Sequence, residues 1–173
     1  PIKIGVGVSD IITGLYASIS ILSALRFREK TSEGQHIDIS LLDSQVSWLS
    51  YAAQSYLISK KIPEPIGNDH PSIVPYQTVM AKDGLMVLAI ANDRQFKNFC
   101  TFAKIENLHN SPKFKNNSLR VKNRNELNKI LEKKIKTKTI NEWVKGLVKI
   151  NVPCGPINNL EKVFKDPQVK FRK

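Results

Sequence analysis

The sequence predicts an α/β protein, with part of a large, mainly helical domain joined by a linker to a small α+β domain. Three observations predict it. In the first 60 residues a long apolar helix, a short alternating segment and a second helix follow one another. Residues 60–75 then carry Pro63, Pro65, Gly67, Asn68, Pro71 and Pro75 and little that could pack, the composition of a connection. Beyond them Asp83-Gly84 separates two apolar extended runs, a hairpin signal, and helical spacing resumes. The expected division is 1–60, a linker at 61–75, the small domain at 76–150, and a further piece at 151–173.

Taken in order, Gly5-Val6-Gly7-Val8-Ser9-Asp10 opens the first helix, expected over 10–28. Ile12, Leu15, Ile19 and Leu22 keep one stripe and Ile11, Ala17, Ile21, Ala24 and Leu25 fill the flanks, so the helix is expected to be buried. Ser9 or Asp10 is a candidate N-cap, since a short oxygen-bearing side chain can accept from an orphan N–H. Arg26, Arg28 and Lys30 suit the C-terminus, and Gly34 is the expected stop.

Residues 35–41 alternate, with Ile37, Ile39 and Leu41 on one side, and predict a short strand. Helical spacing returns from Leu42 to Ser59. After the linker, strands are expected at 76–82 and 85–91, and Asn92-Asp93 should cap a helix carrying Phe96, Phe99 and Cys100. A polar loop at 107–117 leads into a basic amphipathic helix from Leu119 to Ile135. Thr139 and Glu142 have the spacing of a capping box. Val152-Pro153-Cys154-Gly155-Pro156 predicts a turn or short extended piece, followed by a short helix at 159–164.

The charge is one-sided. Residues 1–103 hold nine Lys/Arg against nine Asp/Glu, whereas residues 104–173 hold eighteen against six and supply the whole net charge of +12. Such a surface is either simply well solvated or meets phosphates, of nucleic acid or of a phosphorylated cofactor. Helix-turn-helix, zinc-finger and RNP patterns are absent, so nucleic acid is the weaker expectation. Cys100 and Cys154 stand in unrelated contexts, which points to a reducing, cytoplasmic setting and not to a disulfide framework. The apolar run from Ile11 to Leu25 is interrupted by Thr13, Ser18, Ser20 and Ser23, and no stretch is expected to cross a membrane. The chain starts on Pro1 and ends on Lys173 without a closing signal, so a piece of a longer protein is expected.

Asp10 is the first candidate for chemistry. A carboxylate at a helix N-terminus is stabilised as the anion and can attack an activated acyl group, but the same position also suits a plain helix cap. The residues alone leave both uses open. His36, His70 and His109 lack ligand spacing and no C-x-x-C pair exists, so no metal is expected. Gly67-Asn68-Asp69-His70 is a polar turn in a long connection, a common location for function.

Several motifs, taken in order, extend the reading. They are Gly5-x-x-x-Ser9-Asp10-x-x-x-Gly14-x-x-Ala17, Ala24-Leu25-x-x-Arg28-x-x-Thr31-x-x-Gly34-Gln35-x-Ile37-Asp38, Gly67-Asn68-x-His70-x-x-x-x-Pro75-Tyr76, Arg120-x-x-Asn123-Arg124 and Val152-Pro153-x-Gly155-Pro156. This ordered set resembles the class III CoA-transferase family, which includes formyl-CoA transferase, carnitine CoA-transferases and α-methylacyl-CoA racemase. Ser72 to Gln77 and Gly155 to Asn159 are most similar to the succinate–hydroxymethylglutarate type.

The resemblance implies that Asp10 is the nucleophile and that Gly67, Asn68, His70 and Tyr76 contact substrate or CoA. It implies an acyl-CoA thioester and a small carboxylic acid as substrates, with no permanently bound cofactor. It also implies a Rossmann-like large domain to which 151–173 begins the return, and an interlocked homodimer. Family members are about twice this length, so the chain corresponds to their central part. In the family a loop after the linker closes over the intermediate; Gly67 to Tyr76 hold that place here, without the glycine run of formyl-CoA transferase. Two other readings stand beside the transferase: a racemase-like isomerase, which needs a histidine partner for Asp10, and a basic non-enzymatic module or gene remnant.

Overall fold

A computed structural model describes residues 3–172. Its contacts divide the chain into two units, one ending at Pro65 and one beginning at Ile66. Taken together, their helices and small antiparallel sheet fit the expected mixed α/β class.

The first unit is helical. Helix α1 (Val8–Thr31) is followed by α2 (Leu41–Ser47) and α3 (Ser50–Ser59). α1 starts earlier and ends later than its apolar run. Gly7 is its N-cap, which leaves Ser9 and Asp10 inside the first turn and corrects the expectation that one of them caps. Ser32 in the left-handed region (φ 61°), not Gly34, ends it, its N–H bonded to the Arg28 carbonyl. No described residue of α1 is buried; Leu15, Ile19 and Leu22 are 59–66% exposed, contrary to the expected burial.

At 24 residues α1 is also long and apolar enough to cross a membrane by length and composition, which corrects the reading that no stretch is. Two of the four hydroxyls taken as interruptions bond back to the helix itself. Thr13 donates to the Ser9 carbonyl at 2.6 Å and Ser18 to that of Gly14 at 2.8 Å, so their polarity is satisfied locally. α1 nonetheless makes the contacts of a domain helix: Ser9 Oγ donates to Gln45 Oε1 at 2.5 Å and Ser47 Oγ to Tyr16 Oη at 3.2 Å, both on α2.

Residues 33–40 are not a strand. They run without regular structure, and no described strand pairs with them, so the alternation of Ile37 and Ile39 has no ladder to join. Ile37 instead lines an open groove together with Ile21, Ala24 and Leu25 of α1. The single helix expected from Leu42 breaks at Trp48-Leu49 into α2 and α3. Ser40 caps α2 by accepting from the Asp43 N–H.

The second unit holds the described hydrophobic core. Strands β1 (Tyr76–Ala81), β2 (Gly84–Ala89) and β3 (Cys154–Pro156) form an antiparallel sheet in the order β1-β2-β3. The hairpin closes one residue earlier than expected, with Ala81 opposite Gly84 and Lys82-Asp83 as its two-residue turn. Val79 and Ala81 of β1 and Met86 and Leu88 of β2 face the core. Against them pack α4 (Asp93–Phe102), α7 (Arg124–Ile135) and α8 (Ile140–Lys149), which contribute Phe96 and Phe99, Leu127 and Leu131, and Trp143 and Leu147.

Asn92 caps α4 and the Thr139–Glu142 capping box opens α8, both as expected. The expected polar loop contains the short α5 (Asn107–Asn110) and the buried Phe114. The expected basic helix is two, α6 (Asn117–Lys122) and α7, with a corner at Asn123. α9 (Leu160–Lys165) and α10 (Pro167–Arg172) follow the sheet.

Candidate functional site

In the first unit, the Gly5–Asp10 stretch sets one carboxylate at a helix start. Asp10 is exposed and is the acidic residue of the first turn of α1. Its carboxylate folds back over Gly7: a Cβ on Gly7 would lie 2.7 Å from Asp10 Oδ2. Gly7 has φ −73°, so its backbone does not call for glycine; a side chain there would instead push the Asp10 carboxylate out of this position. The first-turn N–H groups of α1 lie at the same helix end. On the same unit, Tyr16 and Ser20 of α1, Asp38 of the following segment, and Asp43 and Ser47 of α2 line an open groove of about 340 Å3; Asp10 is not among its residues.

In the second unit, the segment from Ile66 to Pro75 precedes β1. Gly67 takes φ +68° in a turn with Asn68, and the Asp69 N–H bonds the Ile66 carbonyl at 3.4 Å. The His70 N–H donates to the Tyr76 carbonyl at 2.9 Å, and the two rings stack with centroids 5.3 Å apart and an interplanar angle of 22°. His70 Nδ1 accepts from the Ser72 N–H at 3.2 Å, which assigns the proton of the neutral ring to Nε2. Thus His70 and Tyr76 are brought together, with Gly67 and Asn68 on the turn just before them.

What fixes this segment comes from α6 and α7. Asn117 donates to the Ser72 carbonyl at 2.7 Å and accepts from the Val74 N–H at 3.1 Å. Arg120 is wholly buried. Its Nε donates to the Val74 carbonyl at 2.7 Å and Nη1 to that of Phe114 at 3.2 Å; Nη2 pairs with Asp93 at 2.8 Å and the guanidinium lies 4.4 Å from the Phe96 ring centre. Arg124 donates to the carbonyls of His70 and Pro71 at 2.7 and 2.9 Å and pairs with Asp69 at 3.2 Å. A buried guanidinium is tolerated only when its donors are met, and here Nε and Nη1 meet the carbonyls of Val74 and Phe114 while Nη2 faces the Asp93 carboxylate.

No role had been assigned to Asn117, Arg120 or Arg124 from the residues. The available signal was the position of Arg120, Arg124 and Leu127 along a helical path whose later turns are apolar and inward. A basic residue in line with a buried stripe demands acceptors. His36 and His109 take no part in this cluster. Among the described residues no three His, Cys, Asp or Glu side chains gather as metal ligands. The two cysteines are free; burial raises the pKa of Cys154 and pushes that of Cys100 up to about 12.

Comparison with known proteins adds the following. The model of CoA-transferase family III matches residues 1–173. The chain is 42% identical over 169 residues to the succinyl-CoA:glutarate CoA-transferase of Homo sapiens, covering 98% of this chain and 39% of that protein. It is 38% identical over 172 residues to the succinate–glutarate CoA-transferase of Agrobacterium fabrum, covering 99% of this chain and 43% of the relative. The chain therefore spans about two-fifths of the length of these relatives. A crystal structure of a CAIB/BAIF family protein from Brucella suis matches with a TM-score of 0.77 and 45% identity over 99% of this chain and 46% of that one. A Mycobacterium tuberculosis protein shares the fold at a TM-score of 0.88 with 19% identity, covering 99% of this chain and 44% of that one.

Proposed function

The chain belongs to CoA-transferase family III, and from that membership we propose that it serves the transfer of CoA from succinyl-CoA to a second dicarboxylic acid, with Asp10 as the covalent carrier. One observation carries the reading. Asp10 is an exposed carboxylate in the first turn of α1, laid over a glycine that leaves room for it.

In the proposed cycle an Asp10 oxygen attacks the thioester carbonyl. The C–S bond breaks, CoA leaves as the thiolate, and an acyl-aspartyl anhydride remains. The thiolate then attacks the Asp10 carboxyl carbon, releasing succinate and leaving an aspartyl-CoA thioester. The acceptor carboxylate attacks that thioester and expels CoA thiolate a second time. The thiolate takes the acceptor acyl group from the new anhydride, and Asp10 is restored as the carboxylate. The helix start supports these steps because the ionised carboxylate is the attacking species and unpaired N–H groups can meet developing negative charge.

Gly67, Asn68, His70 and Tyr76 are the proposed substrate contacts, with Tyr76 and His70 offering stacked rings and the Gly67-Asn68 turn its backbone. The exposed apolar residues of α1 suit an interface in an interlocked homodimer of the whole protein.

The test is mass spectrometry after mixing the protein with succinyl-CoA. An acyl or CoA adduct on the peptide holding Asp10, absent in Asp10→Asn, is the expected result. Gly7→Ala, which displaces the carboxylate while keeping a permitted backbone, should slow adduct formation by roughly tenfold or more. Absence of any adduct in the unaltered protein, or exchange of an α-proton for deuterium without CoA transfer, overturns the proposal.

A further inference from the structure

The connection before β1 has a rigidity that its sequence does not announce. Pro71, Pro75 and Gly67 suggest a passive linker, yet the main chain at His70, Pro71, Ser72 and Val74 is held by side chains from another part of the unit. Arg124 has the widest grip. One guanidinium reaches three successive residues: the carboxylate of Asp69, the carbonyl of His70 and the carbonyl of Pro71. It is only 19% exposed and Asp69 25%, so solvent does little to dilute the pairing.

The root of Arg124 is itself fixed. It is the first residue of α7, directly after the corner at Asn123, whose side chain donates to the carbonyls of Lys113 and Leu119 at 3.1 and 2.9 Å. A planar guanidinium with several fixed donors can serve three acceptors at once; an ammonium carries the charge but not the fork. The residues so gripped include His70, whose ring stacks on Tyr76 and whose Nδ1 receives the Ser72 N–H.

We propose that Arg124 is a positioning residue: it fixes the Asp69–Pro71 backbone and thereby holds the His70 ring in the orientation that meets the acyl-CoA substrate. The inference rests on the reading of Gly67, Asn68, His70 and Tyr76 as substrate contacts. It adds the residue that sets their geometry from outside the connection. Arg120 and Asn117 secure the following residues, Ser72 and Val74; of the three side chains, Arg124 is the one that bonds His70 itself.

The experiment compares the full chain with its Arg124→Gln, Arg124→Lys and Asp69→Asn variants. Amide exchange of Asp69, His70 and Ser72, and the ring resonances of His70, are read by NMR, with the amides of Val79 and Leu88 as the reference for the fold. Both Arg124 variants should speed exchange at the three loop amides by about tenfold or more and shift the His70 ring signals, with the reference amides unchanged. Asp69→Asn, which leaves α7 untouched, should give a smaller change in the same direction.

For succinyl-CoA the expected kinetic result is a KM raised several-fold with kcat within about twofold. Unchanged loop exchange and unchanged His70 signals overturn the proposal. So does full recovery by lysine, which would mean that charge alone suffices, and so does equal loss of protection at Val79 and Leu88, which would make Arg124 a general support of the fold. If the unaltered chain forms no adduct with succinyl-CoA, the transferase reading fails while the NMR comparison still decides whether Arg124 sets the loop. A loop that moves in the variants with KM unchanged overturns the substrate part.

Discussion

The Cys100 thiol lies wholly within the core of the second unit, and burial pushes its pKa from an ordinary 9.0 up to about 12. The Arg120 guanidinium and a bond from the His109 backbone pull it partly back. Between pH 9 and 12 the unfolded chain has released this proton and the folded chain has kept it. The folded state then binds more protons, so its stability is full below pH 9 and falls as pH rises toward 12. The slope for one such group is about 1.4 kcal/mol per pH unit. Urea midpoints at pH 9 and 10.5 should therefore show the parent losing up to about 2 kcal/mol more than Cys100→Ala. Equal losses would mean that this thiol does not titrate with folding.

Asp10 was legible as a carboxylate at a helix start, but its exact station was not. A cap is chosen by backbone conformation, and Gly7 takes that role with no side chain to announce it. The roles of Arg120 and Arg124 were hidden for a different reason. Three of their partners, the carbonyls of His70, Pro71 and Val74, lie 46 to 54 residues away, and main-chain acceptors carry no identity in a sequence.

At the level of elements, α8 shows how tightly the core is fitted. A Cβ on Gly146 would lie 1.9 Å from Phe102 Cζ and 2.3 Å from Cε2, while that ring stands edge-on to Trp143 with centroids 5.6 Å apart. Gly to Ala in a helix interior ordinarily stabilises by about 1 kcal/mol. Here the methyl must displace an aromatic ring, at a cost of about 1–3 kcal/mol that outweighs the gain when the ring cannot move freely. Gly146→Ala should therefore lower stability in urea, and adding Phe102→Leu should return most of the loss. Stabilisation by Gly146→Ala alone would contradict this packing.

The elements best read in advance were those with local signals: the Asn92 cap, the Thr139–Glu142 box and the Asp-Gly hairpin. The segment before Ser40 was misjudged because alternation describes an extended backbone but cannot supply a strand to pair with. The breaks at Trp48 and Asn123 were missed because apolar spacing runs through both without Gly or Pro.

Across the whole molecule the two units differ in self-sufficiency. The second contains the described hydrophobic core, from Val74 to Val152, whereas Ser44 is the buried residue among those described in the first. A fragment of residues 66–173 should melt in one cooperative transition followed by circular dichroism and remain monomeric. A fragment of residues 3–65 should associate through Ile11, Leu15, Ile19 and Leu22, visible as light scattering. A cooperative melt of the smaller piece as a monomer would refute this. The Pro-rich interval at residues 60–75 spans the point, between Pro65 and Ile66, at which the contacts divide the chain. The exposure of α1 was not legible, because periodicity reports how much of a helix is apolar and not what covers it. The relatives, of which this chain spans 39% and 43%, have ample further chain for that purpose.

The grip on the connection before β1 falls mostly on its backbone. Asn117, Arg120 and Arg124 contact the carbonyls of His70, Pro71, Ser72 and Val74, and Asp69 is the side chain they engage. A loop held by its peptide groups keeps its path when its side chains are exchanged. Under the proposed contact role of Gly67, Asn68, His70 and Tyr76, side-chain exchange in this loop changes what it presents to a ligand while the scaffold beneath stays the same.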